Sequence, residues 1–69
     1  MNEIIFLVEE SDEGGYTAKA MGPAIVTEAN TIEELRLAVK DAVHCHYDES
    51  EARPKMIRLH LVKDEVFAA

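Results

Sequence analysis

Hydrophobic and polar positions recur along this chain with two periods, which together predict four strands and one helix. Residues 4–8 form a continuous apolar run bounded by charges, which predicts a strand with two apolar faces. A glycine-containing loop, residues 11–15, leads to a second strand over residues 16–21, and we expect the two strands to pair as an antiparallel hairpin. Gly22 and Pro23 end the second strand, and residues 24–28 predict a short third strand.

A helical period begins after the third strand. Thr31 and Glu34 match a capping box, in which Thr31 accepts a hydrogen bond from a first-turn N–H and Glu34 bonds back to the cap residue. The side chains that fall on one stripe of this helix are apolar except for one histidine: Ile32, Leu35, Val39, Ala42, Val43 and His46. The pattern predicts a helix from residue 32 to residue 47 or 48, followed by a linker over residues 49–54.

Residues 55–63 return to the alternating period of a strand. Ile57, Leu59 and Leu61 share one face, whereas Arg58 and His60 lie on the other. The order strand-strand-strand-helix-strand predicts an α+β fold in one domain over residues 1–69, with a single layer of three to four strands and the helix on one face.

One helix covers only one face of such a sheet, although both faces carry apolar side chains. A chain of 69 residues with Cys45 as its single cysteine cannot form an internal disulfide, and chains this small usually need a disulfide, a metal or a second copy for stability. We therefore expect a homodimer or higher oligomer, and replacement of Phe6 by a charged residue should reduce its mass. The side chains assigned to the oligomer or partner interface are Ile4, Phe6, Val8, Arg58, His60, Leu37 and Phe67.

Charge narrows the choice of partner. Fourteen acidic against seven basic side chains give a net charge of −7, which repels phosphate backbones and anionic lipid and suits a basic protein, although the same charge also keeps a small protein soluble. The first apolar run is too short for a signal peptide or a membrane span. Together with the free thiol, this predicts a cytoplasmic protein that does not bind membranes.

The sequence His44-Cys45-His46 is the first candidate for chemistry. Two imidazoles two residues apart on a helix diverge by about 200°, so they cannot bind one metal ion together. Cys45 lies near the helix C-terminus, where the helix dipole disfavours a thiolate. We expect His46 in the core or at its boundary, His44 in solvent and Cys45 packed, with no metal and no cofactor.

Neither the carboxylates nor the basic residues form a recognisable catalytic or nucleic-acid site. The acids gather at strand ends, the helix start and the linker, where solvated charge is the default. Four of the seven basic residues lie in or just before the last strand, where ion pairing is the simpler interpretation: Arg53, Lys55, Arg58 and Lys63. We expect a protein that is not an enzyme.

The strand, Gly-Gly-Tyr, strand and Thr-hydrophobic-Glu-Glu-Leu pattern resembles the N-terminal domain of HicB-type antitoxins. The matching residues are Gly14, Gly15, Tyr16, Ala18, Gly22, Thr31, Glu33, Glu34 and Leu35. The resemblance implies a truncated RNase H-like core without nuclease activity, self-association, and binding of a small basic RNA-cleaving toxin. Many family members also carry a C-terminal DNA-binding segment. These 69 residues lack that segment, so we expect no direct nucleic-acid binding. The chain also departs from the family around Gly22, where it has Met-Gly-Pro-Ala and the family tends to have Pro-x-x-Gly-Cys.

Three hypotheses follow. The first is a HicB-like protein-binding module, possibly an antitoxin, that assembles with itself. The second is an accessory subunit or small metabolite-binding protein with a site at a subunit interface, involving His60, Arg58 and Tyr47. The third is a metal-binding protein that uses His44, Cys45 and His60 from different subunits.

Overall fold

A four-stranded mixed sheet with one helix forms the fold in a computed structural model that describes residues 2–47 and 52–69. The elements, in chain order, are β1 (Glu3–Glu10), β2 (Tyr16–Ala20), β3 (Val26–Ala29), α1 (Ile32–His46) and β4 (Met56–Val62). The strand order is β3-β2-β1-β4, in which β1 is antiparallel to β2 and parallel to β4, and β2 is antiparallel to β3. The predicted α+β fold with its strand-strand-strand-helix-strand order is confirmed.

Turn and cap residues set the limits of these elements. Gly14 and Gly15 both have positive φ in the β1–β2 loop, which a glycine adopts without steric cost. The Oγ1 of Thr31 accepts a hydrogen bond of 3.1 Å from the backbone N–H of Glu34, as the capping box predicts. The helix ends at His46, one residue before the nearer of its two predicted ends. The other predicted end, residue 48, lies outside the described residues, as do residues 49–51 of the predicted linker.

The core lies between α1 and one face of the sheet. Its buried apolar side chains come from β1, β2, the β2–β3 loop and α1: Ile4, Phe6, Val8, Ala18, Ala20, Ile25, Leu35, Val39 and Val43. The interface assignment of Ile4, Phe6 and Val8 was therefore wrong, because these side chains are at most 1% exposed within a single chain. Phe6 pairs in register with Leu59 of β4, and both lie on the side that α1 covers. A charge at Phe6 would consequently disrupt folding.

The last turn of α1 also differs from the prediction. Its buried positions advance by four residues, from Leu35 to Val39 and Val43, so the next position on that stripe is Tyr47, which packs against the core. His46, predicted to be in the core or at its boundary, is exposed and contacts the ring of Tyr47 edge-on, with ring centroids 4.9 Å apart. Cys45, predicted to be packed, is exposed as well.

Among the described residues, no helix has both the length and the apolar character needed to cross a membrane.

Candidate functional site

The sheet face opposite α1, called the open face below, consists of alternate residues from all four strands. They are Glu3, Ile5, Leu7, Glu9, Thr17, Lys19, Val26, Glu28, Met56, Arg58, His60 and Val62. No described element covers this face, and Val26 and Met56 are each 64% exposed. Ile5 and Val62 are also exposed, whereas Leu7 is half-buried among its neighbours. Aliphatic side chains from three strands are therefore accessible to a partner.

Apolar side chains at the centre of the open face have basic side chains as neighbours. Strand register places Leu7 between Lys19 of β2 and His60 of β4, and it places Ile5 beside Arg58. Each central aliphatic side chain therefore has a basic neighbour on β4 or β2. Such a surface provides hydrophobic area for an interface and polar groups that restrict the orientation of the partner.

An ion pair fixes one corner of this face. The Nε of Arg58 donates a hydrogen bond to the Oε1 of Glu3, between the parallel strands β1 and β4. This hydrogen bond, with the attraction between the charges, lowers the pKa of the Glu3 carboxyl and raises the pKa of Arg58. Both side chains are solvent-accessible, so the pair orients Arg58 more than it stabilises the fold.

Acidic side chains concentrate at the end of the molecule where the β1–β2 loop lies, called the acidic end below. They line adjoining surface depressions, the largest of about 570 Å³, and are Glu9, Glu10, Asp12, Glu13, Glu28, Glu34 and Asp64. Lys19 and Lys63 are the basic residues that line the same depressions. The acidic end therefore holds half of the fourteen acids of the chain and presents negative charge from the hairpin, β3 and the helix start.

The interface residues predicted from the sequence do not form one surface. Arg58 and His60 lie on the open face, as their alternation with Ile57 and Leu59 indicated. Leu37 is exposed on the side of α1 that faces away from the sheet, so it lies on the opposite side of the molecule. Phe67 is exposed in the segment beyond β4.

The residues of the two alternative hypotheses are also separated within one chain. Tyr47 packs against the core on the helix side of the sheet, whereas Arg58 and His60 lie on the open face. His44 and Cys45 are exposed on α1. Within residues 2–47 and 52–69, no group of three or more side chains is placed to hold a metal ion.

Sequence reasoning did not select Ile5, Leu7 or Val26 for the interface. Because residues 4–8 are all apolar, alternation alone does not show which face of β1 is buried. The flanking charges carry the missing signal, since Glu3 and Glu9 have the same parity as Ile5 and Leu7 and mark that face as solvent-accessible. For Val26 the register of β3 decides, and a four-residue strand carries too short a pattern to set it.

Comparison with known proteins gives two similar relatives. The chain is 58% identical over 53 residues to a UPF0150 protein of Archaeoglobus fulgidus, and this match covers 77% of each protein. It is 44% identical over 66 residues to a UPF0150 protein of Thermotoga maritima, which covers 96% of this chain and 91% of the relative. The chain belongs to the UPF0150 family. The name of that family specifies no activity, ligand or partner.

No family model and no solved structure matches the chain significantly. The resemblance to HicB-type antitoxins therefore stays a prediction, based on the residues given above.

Proposed function

We propose that the chain is a non-catalytic, HicB-like protein-binding module that assembles with itself through the open face and binds a small basic RNA-cleaving toxin, as a cytoplasmic antitoxin. Two surfaces support this function, and each suits one partner. The open face suits a second copy, and the acidic end suits the basic protein.

The single observation that carries the proposal is the exposed aliphatic surface of the open face. The described helix and strands leave Ile5, Val26, Met56 and Val62 accessible, although Ile4, Phe6 and Val8 on the opposite face of β1 are buried. Exposed apolar area of this kind in a small domain is characteristic of an interaction site. A second copy of the chain carries the same face, so a two-fold arrangement would bury the open faces of both copies against each other.

The acidic end supports the second part of the proposal. Its seven carboxylates come from four different segments of the chain, which the fold brings to one end of the molecule. A concentrated negative potential accelerates encounter with a basic protein and disfavours acidic partners. The antitoxin role predicted from the HicB resemblance needs a surface of this charge.

The test is co-purification with any small basic protein encoded beside this gene, together with two charge-reversal variants. The first variant, Asp12→Lys, changes the tip of the acidic end. The second, Asp41→Lys, makes the same change in net charge on the exposed side of α1, away from the helix start. If the acidic end binds the toxin, the first variant weakens binding about tenfold or more and the second has little effect, because close charge pairs at an interface contribute most.

Two results would contradict the proposal. Equal weakening by both variants would indicate attraction to net charge alone. Absence of any association between the wild-type chain and the basic protein, at micromolar concentrations of each, would remove the antitoxin role and leave a self-assembling module.

A further inference from the structure

We propose that residues 63–69, called the tail below, add to the outer edge of β4 in a second copy of the chain, where Phe67 fills a groove between α1 and β4. The proposed exchange is reciprocal, so each copy both gives and receives a tail. This interface is separate from the open face and does not depend on the proposed function.

The groove exists because α1 lies over β2 and β3 and leaves β4 incompletely covered. Its volume is about 260 Å³, and it is lined by Arg36, Val39, Lys40, Ile57 and Leu59. On the same side of β4, Leu61 is 55% exposed. The apolar lining of the groove therefore continues along β4, and Arg36 and Lys40 border it.

The backbone of β4 is also open along this groove. The strand is at the edge of the sheet, and among the strands that the structure describes it pairs with β1 alone. The N–H of Met56 donates to the backbone oxygen of Asn2, towards β1. Because backbone groups alternate in direction along a strand, those of Ile57, Leu59 and Leu61 point away from β1. These unpaired groups can bind an extended segment as an additional strand.

The tail has the properties of such a segment. It follows β4 directly, contains no helix or strand, and exposes Val66 to 95% and Phe67 to 80%. The radius of gyration is 13.4 Å, larger than the value of about 11 Å for a compact chain of this length. The long axis is 51 Å, whereas the other two are 19 and 18 Å. Two large apolar side chains therefore lie in solvent on an elongated molecule.

Strand alternation decides which tail residue meets the groove. In the exchanged dimer the tail continues the extended conformation of β4, and two-fold symmetry makes the two paired segments antiparallel. Residues whose backbone groups face outward then pair with one another, so odd-numbered tail residues lie opposite Ile57, Leu59 and Leu61. Residues paired in this way project to the same face. Phe67 is thereby directed into the groove, and Val66 to the open face.

Charge agrees with this orientation. Glu65 has the same parity as Phe67, so it lies on the side where Arg36 and Lys40 border the groove. A carboxylate beside two cations and an aromatic ring above Leu59 make the tail complementary to this site. A second copy of the chain supplies the required segment without another protein.

The test uses two single-cysteine proteins that are mixed and mildly oxidised, in a Cys45→Ser background because Cys45 is exposed. One protein carries Leu59→Cys and the other Phe67→Cys, so only contact between two chains yields a disulfide-linked heterodimer. Val66→Cys, one residue away and on the opposite side of the tail, is the matched control. We expect several-fold more heterodimer with Phe67→Cys than with Val66→Cys, because a disulfide requires close and correctly directed Cβ atoms. Equal yields, or no heterodimer, would overturn the proposal.

A second measurement does not require any change in the core. Phe67 is exposed in the single chain, so Phe67→Glu should leave its fold intact while weakening a dimer that uses this ring twice by about 100-fold or more. Phe67→Leu should retain the dimer.

Charge exchange adds a specific readout, since Arg36→Glu should weaken the dimer and Glu65→Arg in the same chain should restore it. Leu7→Glu, on the open face, should leave the cross-link between positions 59 and 67 unchanged, which separates this interface from the other. An unchanged dissociation constant for Phe67→Glu would refute the exchange.

Discussion

Phe6 and Leu7 are adjacent in the chain but lie on opposite faces of the sheet. Phe6 is completely buried beneath α1, whereas Leu7 is half-buried between Lys19 and His60 on the open face. The same type of substitution at these two positions therefore tests two different properties. A change at Phe6 acts on the folding of one chain, and a change at Leu7 acts on what the sheet binds.

The first prediction concerns Leu7. Leu7→Glu should lower the mass measured by light scattering, because the carboxylate replaces apolar contact area and would lose its hydration in any assembly through this face. Circular dichroism should show an unchanged fold, since the side chain points away from the core. An assembly of unchanged mass in the folded variant would exclude the open face as the interface between copies.

The second prediction concerns Phe6. Phe6→Ala should reduce the free energy of unfolding by about 3–5 kcal/mol, because it leaves a cavity in a fully packed core. Urea denaturation followed by circular dichroism measures the loss. Leu7→Ala is the control, and it should cost about 1 kcal/mol or less in the single chain because Leu7 has no covering layer. Similar costs at the two positions would mean that both faces are equally buried.

The sequence was sufficient for the element order but not for the sides of the first strand. A long segment with a clear hydrophobic period predicts its own secondary structure, and α1 begins at Ile32, as the capping box at Thr31 predicts. Residues 4–8 are apolar at every position, so nothing within the run says which side faces the helix. The charges that flank the run, Glu3 and Glu9, indicate the side, and pairing with β4 fixes it through contacts between residues more than fifty positions apart.

The surfaces could be predicted only in part, for related reasons. Arg58 and His60 were placed correctly because β4 alternates cleanly between polar and apolar residues. His46 was misplaced because the buried positions of α1 advance by four residues, from Val39 to Val43 and then to Tyr47, which leaves His46 beside that stripe. The acidic end arises from segments distant in sequence, and only the fold shows that Glu13, Glu28 and Glu34 line one depression.

The third prediction compares two glycines in the β1–β2 loop. Gly14 and Gly15 have φ of 90° and 87°, so any other residue is strained at either position. A Cβ at Gly15 would also lie 3.0 Å from the backbone oxygen of Ala29, whereas a Cβ at Gly14 would meet nothing within 4 Å. Gly14→Ala should therefore cost about 1 kcal/mol and Gly15→Ala clearly more, as measured by thermal unfolding. Equal losses would show that conformation alone, without the contact to Ala29, decides the choice of glycine.

The last prediction concerns the pH dependence of the Glu3–Arg58 ion pair. Because the hydrogen bond from Arg58 lowers the pKa of Glu3 in the folded state, the stabilisation by this carboxylate is fully present above its unfolded-state pKa. It is lost as the pH falls through the folded-state pKa. In Arg58→Gln the NMR titration midpoint of the Glu3 carboxyl should rise towards the ordinary range of a glutamate.

The difference in unfolding midpoint between wild type and variant should be small, since both groups are solvent-accessible, and should vanish at acidic pH. High salt should raise the NMR titration midpoint of Glu3 in the wild type, as the substitution does, because solvent ions screen an exposed pair. A Glu3 midpoint that is identical in the two proteins would show that the pair does not persist in solution, and Arg58 would then be free to orient towards a partner of the open face.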